Sequence, residues 1–463
     1  MPLWIEIPLW TIFAAYLAVT LSTMLVVLLE NRQPAKATAW LVVLALLPVA
    51  GLVFFYFFGQ DLRRRRKLRT RSPYRESHQG VVSPTQSTLQ AFFARDHHAP
   101  LCEGSVDLLD SGQAYLDALL ADIGRAQRYI LIETYIYEDG VMGRALRDAL
   151  VRKAEAGLRV YLLYDDVGSH ATRASFFRSF GSVRTAAFLP VRFARLTRRV
   201  NYRNHRKICV IDGHTAYAGG MNIADRYLSL GKFRPWRDFQ LRICGSSAAE
   251  LQKVFVRDWQ YATRQRLALD ILPPPPEEKR KIPLQVVSGA PVAHFPELEM
   301  GMMRLICSAC RNVYIQTPYF LPTEPVMKAL QSAAMAGVDV RLILPEKPDS
   351  RLLRWGNATY LREVLEAGVR VYLMQPPAFL HAKAITVDDE MASVGSANFD
   401  FRSFENNFET NVMIYDPSTA AALREIMLRD LALCREVSLA EWQSRPLGER
   451  LIASVTRILS PLL

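Results

Sequence analysis

A motif that the chain writes twice limits what it can fold into. Asn204-His205-Arg206-Lys207-Ile208-Cys209-Val210-Ile211-Asp212 returns as His381-Ala382-Lys383-Ala384-Ile385-Thr386-Val387-Asp388. Both copies read His-x-Lys, then four mostly apolar residues, then Asp. A small-residue turn and an Asn follow each: Gly219-Gly220-Met221-Asn222 in one, Gly395-Ser396-Ala397-Asn398 in the other. Every matched pair, from His205/His381 to Asn222/Asn398, stands 176 positions apart. A chain built this way folds as two copies of one half, with its chemistry where the copies meet.

The residues around the motifs support that plan. Gln113 to Gln127 has helical periodicity, Tyr129 to Ile136 reads as a buried strand, Gly143 to Ala156 as a helix stopped by Gly157, and Leu158 to Tyr164 as a strand. The same order returns as a helix over Glu299–Ala309, a strand over Asn312–Thr317, a helix over Pro325–Ala336 stopped by Gly337, and a strand over Val338–Leu344. Strands alternating with helices predict an α/β fold with covered sheets, each half an α/β sandwich. The first half is assigned to residues 105–272 and the second to 284–440. A junction at 273–283 holds the proline run Pro273 to Pro276 and the charged run Glu277 to Lys281. Packing about a pseudo-twofold axis would bring the two motifs together.

In a strand, His205 and Lys207 are two residues apart and share a face, as do His381 and Lys383. One pocket then holds two imidazoles, two ammoniums and two carboxamides. Lys207, Lys383, Asn222, Asn398 and Ser396 are candidate donors to phosphate oxygens. One histidine can attack phosphorus while the other serves as acid and then base. Each ring needs a partner to fix its tautomer, and Asp238 and Glu409, after the aromatic approaches Trp236-Arg237 and Phe408, are the candidates. The candidate catalytic set is His205, Lys207 and Asp212 with His381, Lys383 and Asp388. Within it the two aspartates read as structural, accepting backbone or lysine hydrogen bonds near the turn. So much positive charge makes a metal unnecessary, and no cofactor is expected. Cys307 and Cys310 form a lone pair without a second at zinc spacing, and six cysteines in 463 residues do not suggest a disulfide framework.

Residues 7–29 and 37–60 carry no charge, and each run exceeds the roughly 20 residues that cross a bilayer core. Residues 1–62 are therefore expected to form a transmembrane helical hairpin. The basic run Arg63 to Lys67 follows directly, within a basic tether assigned to 63–104. By the positive-inside rule this run places both termini of the hairpin, and the body, on the cytoplasmic side. A basic run in that position suits anionic lipid headgroups better than nucleic acid. Residues 441–463 are expected to form an amphipathic helix with Leu451, Ile452, Val455, Ile458, Leu459 and Leu462 on one face, sealed against the body or dipped into headgroups.

The duplicated His-x-Lys-x4-Asp pattern with its Gly-(Ser/Gly)-x-Asn tail resembles the phospholipase D superfamily. It departs at Gly220, where many members carry Ser. The Glu30-Asn31-Arg32 loop with Ala39-Trp40-Leu41, the run Gly219 to Asp225, and the ending Arg457 to Leu463 resemble the bacterial cardiolipin synthases. The resemblance implies transphosphatidylation at the bacterial inner membrane. Phosphatidylglycerol forms a phosphatidyl-histidine and releases glycerol, and the hydroxyl of a second phospholipid takes the phosphatidyl group. It leans toward His205 as nucleophile and leaves the second lipid open between phosphatidylglycerol and phosphatidylethanolamine. A hydrolytic phospholipase D or a tethered nuclease would use the same site with another acceptor, and a membrane scaffold would not use it.

Overall fold

The computed structural model describes residues 3–30, 34–47, 49–59, 84–96, 99–191, 201–270, 280–291, 293, 295–349 and 351–459. The basic run at 63–67, the proline run at 273–276 and the last four residues lie outside them.

Among the described residues, one mixed sheet of fifteen strands spans both halves. From its first edge the strands are Arg184–Phe188, Arg159–Asp165, Tyr129–Thr134, Ile208–Ile211, Thr215–Gly219, Gln240–Gly245 and Leu101–Leu109. The series then runs Ile282–Gly289, Glu409–Ile414, Met391–Gly395, Ala384–Val387, Asn312–Gln316, Asp339–Pro345, Arg370–Met374 and an edge strand, Cys434–Val437. Apart from that edge strand the order reads alike from either end, as pseudo-twofold symmetry demands. The strands and helices expected around the two motifs appear within two residues of their expected ends.

The halves are not separate sandwiches. Leu101–Leu109 pairs antiparallel with Ile282–Gly289, with Cys102 opposite Leu284 and Glu103 opposite Pro283, so the sheet crosses the seam unbroken. Strand alternation builds the layers on its two faces. Ile130, Ile132, Val160 and Leu162 point to the first half's helices Gly112–Arg125 and Val141–Glu155, as Val313, Ile315, Val340 and Leu342 point to Glu297–Cys307 and Glu324–Met335. The residues between them, among them Tyr129, Leu131, Tyr314 and Ile343, join one core shared by both halves and by the helices Ser246–Thr263 and Pro417–Asp430.

Much of the expected tether is body. Pro84–Asp96 is a helix whose Leu89 and Phe93 are buried in the second half's core, and Leu101 begins a central strand. Its polar composition hid this, because a helix that buries only a narrow stripe needs few apolar residues.

The first N-terminal helix runs Leu3–Glu30 and is long and apolar enough over Trp10–Leu29 to cross a membrane. The second expected span is instead two helices, Pro34–Leu46 and Ala50–Phe58, broken where Val49 adopts φ 61°. A β-branched residue with positive φ cannot continue a helix, and the sequence puts Pro48 at the break, which disfavours a helical Leu47. Trp40 and Phe55 still meet edge to face at 5.3 Å, folding the two pieces together.

The C-terminal helix spans Leu447–Leu459 and docks through small residues: Ala453 and Thr456 are buried, whereas Leu451 and Ile452 are half exposed. Arg457 pairs with Glu363 and lies over the Tyr360 ring.

Candidate active site

Each motif is a strand entry that turns into a hairpin. Ile208–Ile211 and Ala384–Val387 anchor in the cores, and Asp212 and Asp388 follow at φ 53° and 55°. The Asp212 carboxylate accepts from the backbone N–H groups of Gln127, Arg128 and Tyr129, and Asp388 from those of Cys310, Arg311 and Asn312, all at 2.7–2.9 Å. Each aspartate therefore clamps the start of the neighbouring strand.

His205 and His381 line one cavity of about 520 Å³. Their backbones are held across the halves: His205 N donates to Phe408 O at 2.9 Å, and His381 N to Arg237 O at 2.7 Å. The side chains cross over as well. His205 Nδ1 lies 3.0 and 3.1 Å from the Glu409 carboxylate oxygens. His381 Nδ1 lies 2.7 Å from Asp238 Oδ2. Each imidazole of one half is thus bound by a carboxylate of the other, and Nε2 is left on the opposite edge of each ring.

The environments differ. Burial pushes His205 below its ordinary value, partly offset by Glu409. Burial and then the Lys383 ammonium push His381 further down. Lys383 Nζ stands 2.7 Å from His381 Nδ1, a nitrogen it shares with Asp238. Burial lifts Asp238 to about 6. Glu409 is also fully buried, but His205, Lys207 and the Ser396 hydroxyl together outweigh that penalty and hold it below its usual range. Burial lowers Lys207 well below an ordinary lysine and lowers Lys383 as well, to a smaller degree.

The other candidate donors divide into those on the cavity and those behind it. Ser396 does not line the cavity. Its hydroxyl donates to Glu409 Oε2 at 2.5 Å and accepts from Thr410 N at 2.9 Å. The reason is geometric: Glu409 reaches His205 beside Ser396, so the hydroxyl meets a carboxylate before it could meet a phosphate. A Cβ at Gly220, the matching position, would stand 2.1 Å from Asp238 Oδ1, which explains the missing Ser. Asn222 and Asn398 do line the cavity. Asn222 Nδ2 donates to Tyr227 at 2.8 Å and Asn398 Nδ2 to Asp400 at 3.2 Å, leaving one amide hydrogen on each. Lys207 Nζ donates to His205 O at 2.5 Å, and Lys383 Nζ donates to His381 O. Neither lysine lines the cavity wall; Lys207 Nζ lies 5.4 Å from the centre of the Tyr135 ring.

Several residues around the two rings carry no repeat signature. Tyr135 meets the His205 ring edge-on at 5.0 Å, while Trp236 and Tyr227 flank His381 at 5.5 and 5.8 Å. Arg206, fully buried, donates to Glu409 O at 3.1 Å and pairs with Asp258. It is the variable residue of the first motif, and Ala382 replaces it in the second, so periodicity gave no sign of it. Arg203, Arg402, Tyr319 and Asp349 also line the cavity.

Residues 119–259 and 302–431 match the family model described as cardiolipin synthase, phospholipase D-like domain, and residues 11–60 match one described as phospholipase D-nuclease N-terminal. The chain is 35% identical over 468 residues to a major cardiolipin synthase of Bacillus subtilis (strain 168), covering 96% of this chain and 97% of that one. It is 36% identical to a cardiolipin synthase of Geobacillus kaustophilus (strain HTA426), covering 95% and 91%. Among solved structures, a phosphatidylserine synthase of Haemophilus influenzae Rd KW20 overlays 81% of this chain and all of its own with a TM-score of 0.62 at 17% identity, a likeness of fold. Family model, near full-length relatives and duplicated site agree: the chain belongs to the cardiolipin synthases of the phospholipase D superfamily.

Proposed function

We propose that the protein is a membrane-bound phosphatidyltransferase that makes cardiolipin from phosphatidylglycerol through a phosphohistidine. The observation that carries this reading is the pair of imidazoles on one cavity, each backed at Nδ1 by a buried carboxylate. In the first step Nε2 of His205 attacks phosphorus and the bond to the glycerol oxygen breaks, with His381 giving that oxygen a proton. In the second, the hydroxyl of another phospholipid attacks phosphorus, His381 takes its proton, and the phosphorus–nitrogen bond breaks. His205 suits the nucleophile because Glu409 stays ionised behind it. His381 suits proton exchange because Asp238 titrates near neutrality and the arriving phosphodiester favours an imidazolium.

Lys207 and Lys383 supply positive charge under the phosphate, with the remaining amide hydrogens of Asn222 and Asn398 at its oxygens. This set needs no metal. The apolar N-terminal helices would hold the body against the bilayer that contains both substrates, raising their effective concentration. We assign the body to the cytoplasmic side because the basic run at 63–67 directly follows the membrane segments.

Incubation with phosphatidylglycerol alone tests the reading. Cardiolipin and free glycerol are the expected products. Phosphatidic acid with no cardiolipin would make water the acceptor and overturn it in favour of hydrolysis.

A further inference from the structure

The two halves dispose of a carboxylate differently after their third strand. Asp166 and Glu346 hold equivalent backbone positions, since Asp166 N donates to Phe188 O and Glu346 N to Met374 O. One residue earlier the first half has Asp165, fully buried, which accepts from the N–H groups of Val167, Gly168 and Asn204 and pairs with Arg203. The second half has Pro345 there. Its carboxylate comes four residues later, at Asp349, exposed on the cavity wall. The first-half counterpart of Asp349 is Ser169, buried and donating to Tyr135 O.

A second substitution accompanies this one. Thr134 Oγ1 donates to Ile136 O and Thr317 Oγ1 to Tyr319 O, both at 3.0 Å, which makes Ile136 and Tyr319 equivalent. Where the first half presents an alkyl side chain, the second presents a phenol whose hydroxyl lies 2.7 and 2.9 Å from the two oxygens of Asp349. Asp349 also bears on His381, favouring its protonated form against burial and Lys383. The cavity is therefore polarised. Its His205 side holds Arg203 and Arg402, and its His381 side holds Tyr319, Asp349, the aromatic pair Trp236 and Tyr227, and Arg226, whose charge is paired with Glu138.

Resting on the phosphatidyl-transfer reading, we infer that Asp349, held by Tyr319, is the subsite for the headgroup alcohol and selects a polyol. A phosphate belongs on the cationic side and gains nothing from a carboxylate at the other. A glycerol headgroup carries one hydroxyl that reacts and another that does not. The reacting hydroxyl attacks phosphorus and passes its proton to His381, and the spectator hydroxyl donates to Asp349. A simple alcohol has no second donor, and a site built around a hydrogen-bonding group discriminates against a partner that lacks it. An ammonium could also meet Asp349, so the test separates the two.

The full-length protein in detergent micelles is given cardiolipin as donor and equal concentrations of glycerol, 1-propanol or ethanolamine as acceptor. Phosphatidylglycerol, phosphatidylpropanol and phosphatidylethanolamine are then quantified. Glycerol transfer is expected to exceed propanol transfer at least tenfold. Asp349→Ala is expected to lower that ratio about tenfold through a raised KM for glycerol, the scale of one charge-assisted hydrogen bond. Tyr319→Phe should lower it about threefold, and it carries the test if the first variant does not accumulate folded. A ratio within twofold of wild type in both variants overturns the subsite. Ethanolamine outcompeting glycerol in the wild type, with that advantage lost in Asp349→Ala, overturns the polyol assignment. No phosphatidyl product from the wild type with any acceptor overturns the transfer reading itself.

Discussion

The two half-sites share a plan but differ in the chain that supports each ring. His205 is backed by a glutamate, with Ser396 donating to the same carboxylate and Arg206 gripping its backbone carbonyl. His381 is backed by an aspartate one methylene shorter, pressed against Gly220 where the other half has Ser396, and with Lys383 crowding the ring. The first arrangement keeps its carboxylate ionised despite burial, whereas the second lets burial lift Asp238 to about 6. Duplication supplies two histidines, and divergence around them gives the two different proton affinities. Two titratable groups pushed apart by their surroundings are how a site divides acid and base roles.

The largest effects should come from removing a ring. His205→Ala and His381→Ala are each expected to abolish cardiolipin formation, by about 10³-fold or more on the scale of losing a nucleophile or a general acid. Acid quench followed by peptide mass spectrometry should find the phosphoryl group on His205 in the wild type. A label on His381 instead would invert the comparison.

Next in size is the backing carboxylate. Glu409→Gln and Asp238→Asn should each lower turnover roughly 10²-fold, within the range of a general acid–base contribution. Their pH profiles should differ. Asp238 is a carboxylate only above about 6, so wild-type turnover should fall as pH drops through that value. The inflection should vanish in Asp238→Asn and persist in Glu409→Gln. An inflection that survives Asp238→Asn would assign it to another group.

Smaller effects probe the supports. Gly220→Ala puts a methyl 2.1 Å from Asp238 Oδ1 and should cost about tenfold in turnover, whereas Ser396→Ala removes one hydrogen bond to Glu409 and should cost about threefold. Equal losses would mean that the two halves are supported alike. Chelator is expected to change nothing, and strong inhibition by EDTA, reversed by a divalent ion, would count against a pocket that relies on Lys207 and Lys383.

The repeat made the fold and both rings legible because chance does not place titratable and charged residues twice at identical spacing. The crossing partners Asp238 and Glu409 could be named from their aromatic approaches, but the exchange between halves was not visible, since contacts across 143 and 204 residues leave no periodic trace. Ser396 looked like a phosphate ligand from its place in the motif; only the position of Glu409 reveals what its hydroxyl meets. The break near Val49 was masked by hydropathy, which counts apolar residues and is blind to a left-handed backbone. Arg206 and Asp349 sit where the copies disagree, and comparison of repeats discards such positions.

Because each imidazole takes its carboxylate from the opposite repeat, a single repeat expressed alone would carry a ring with no orienting anion. It could recover one only by lending its own acid to an identical neighbour and borrowing the neighbour's in return. A lone copy of this unit would therefore be obliged to work as a homodimer. In the fused chain, the covalent link lets the two lenders drift apart in sequence while the exchange itself stays in force.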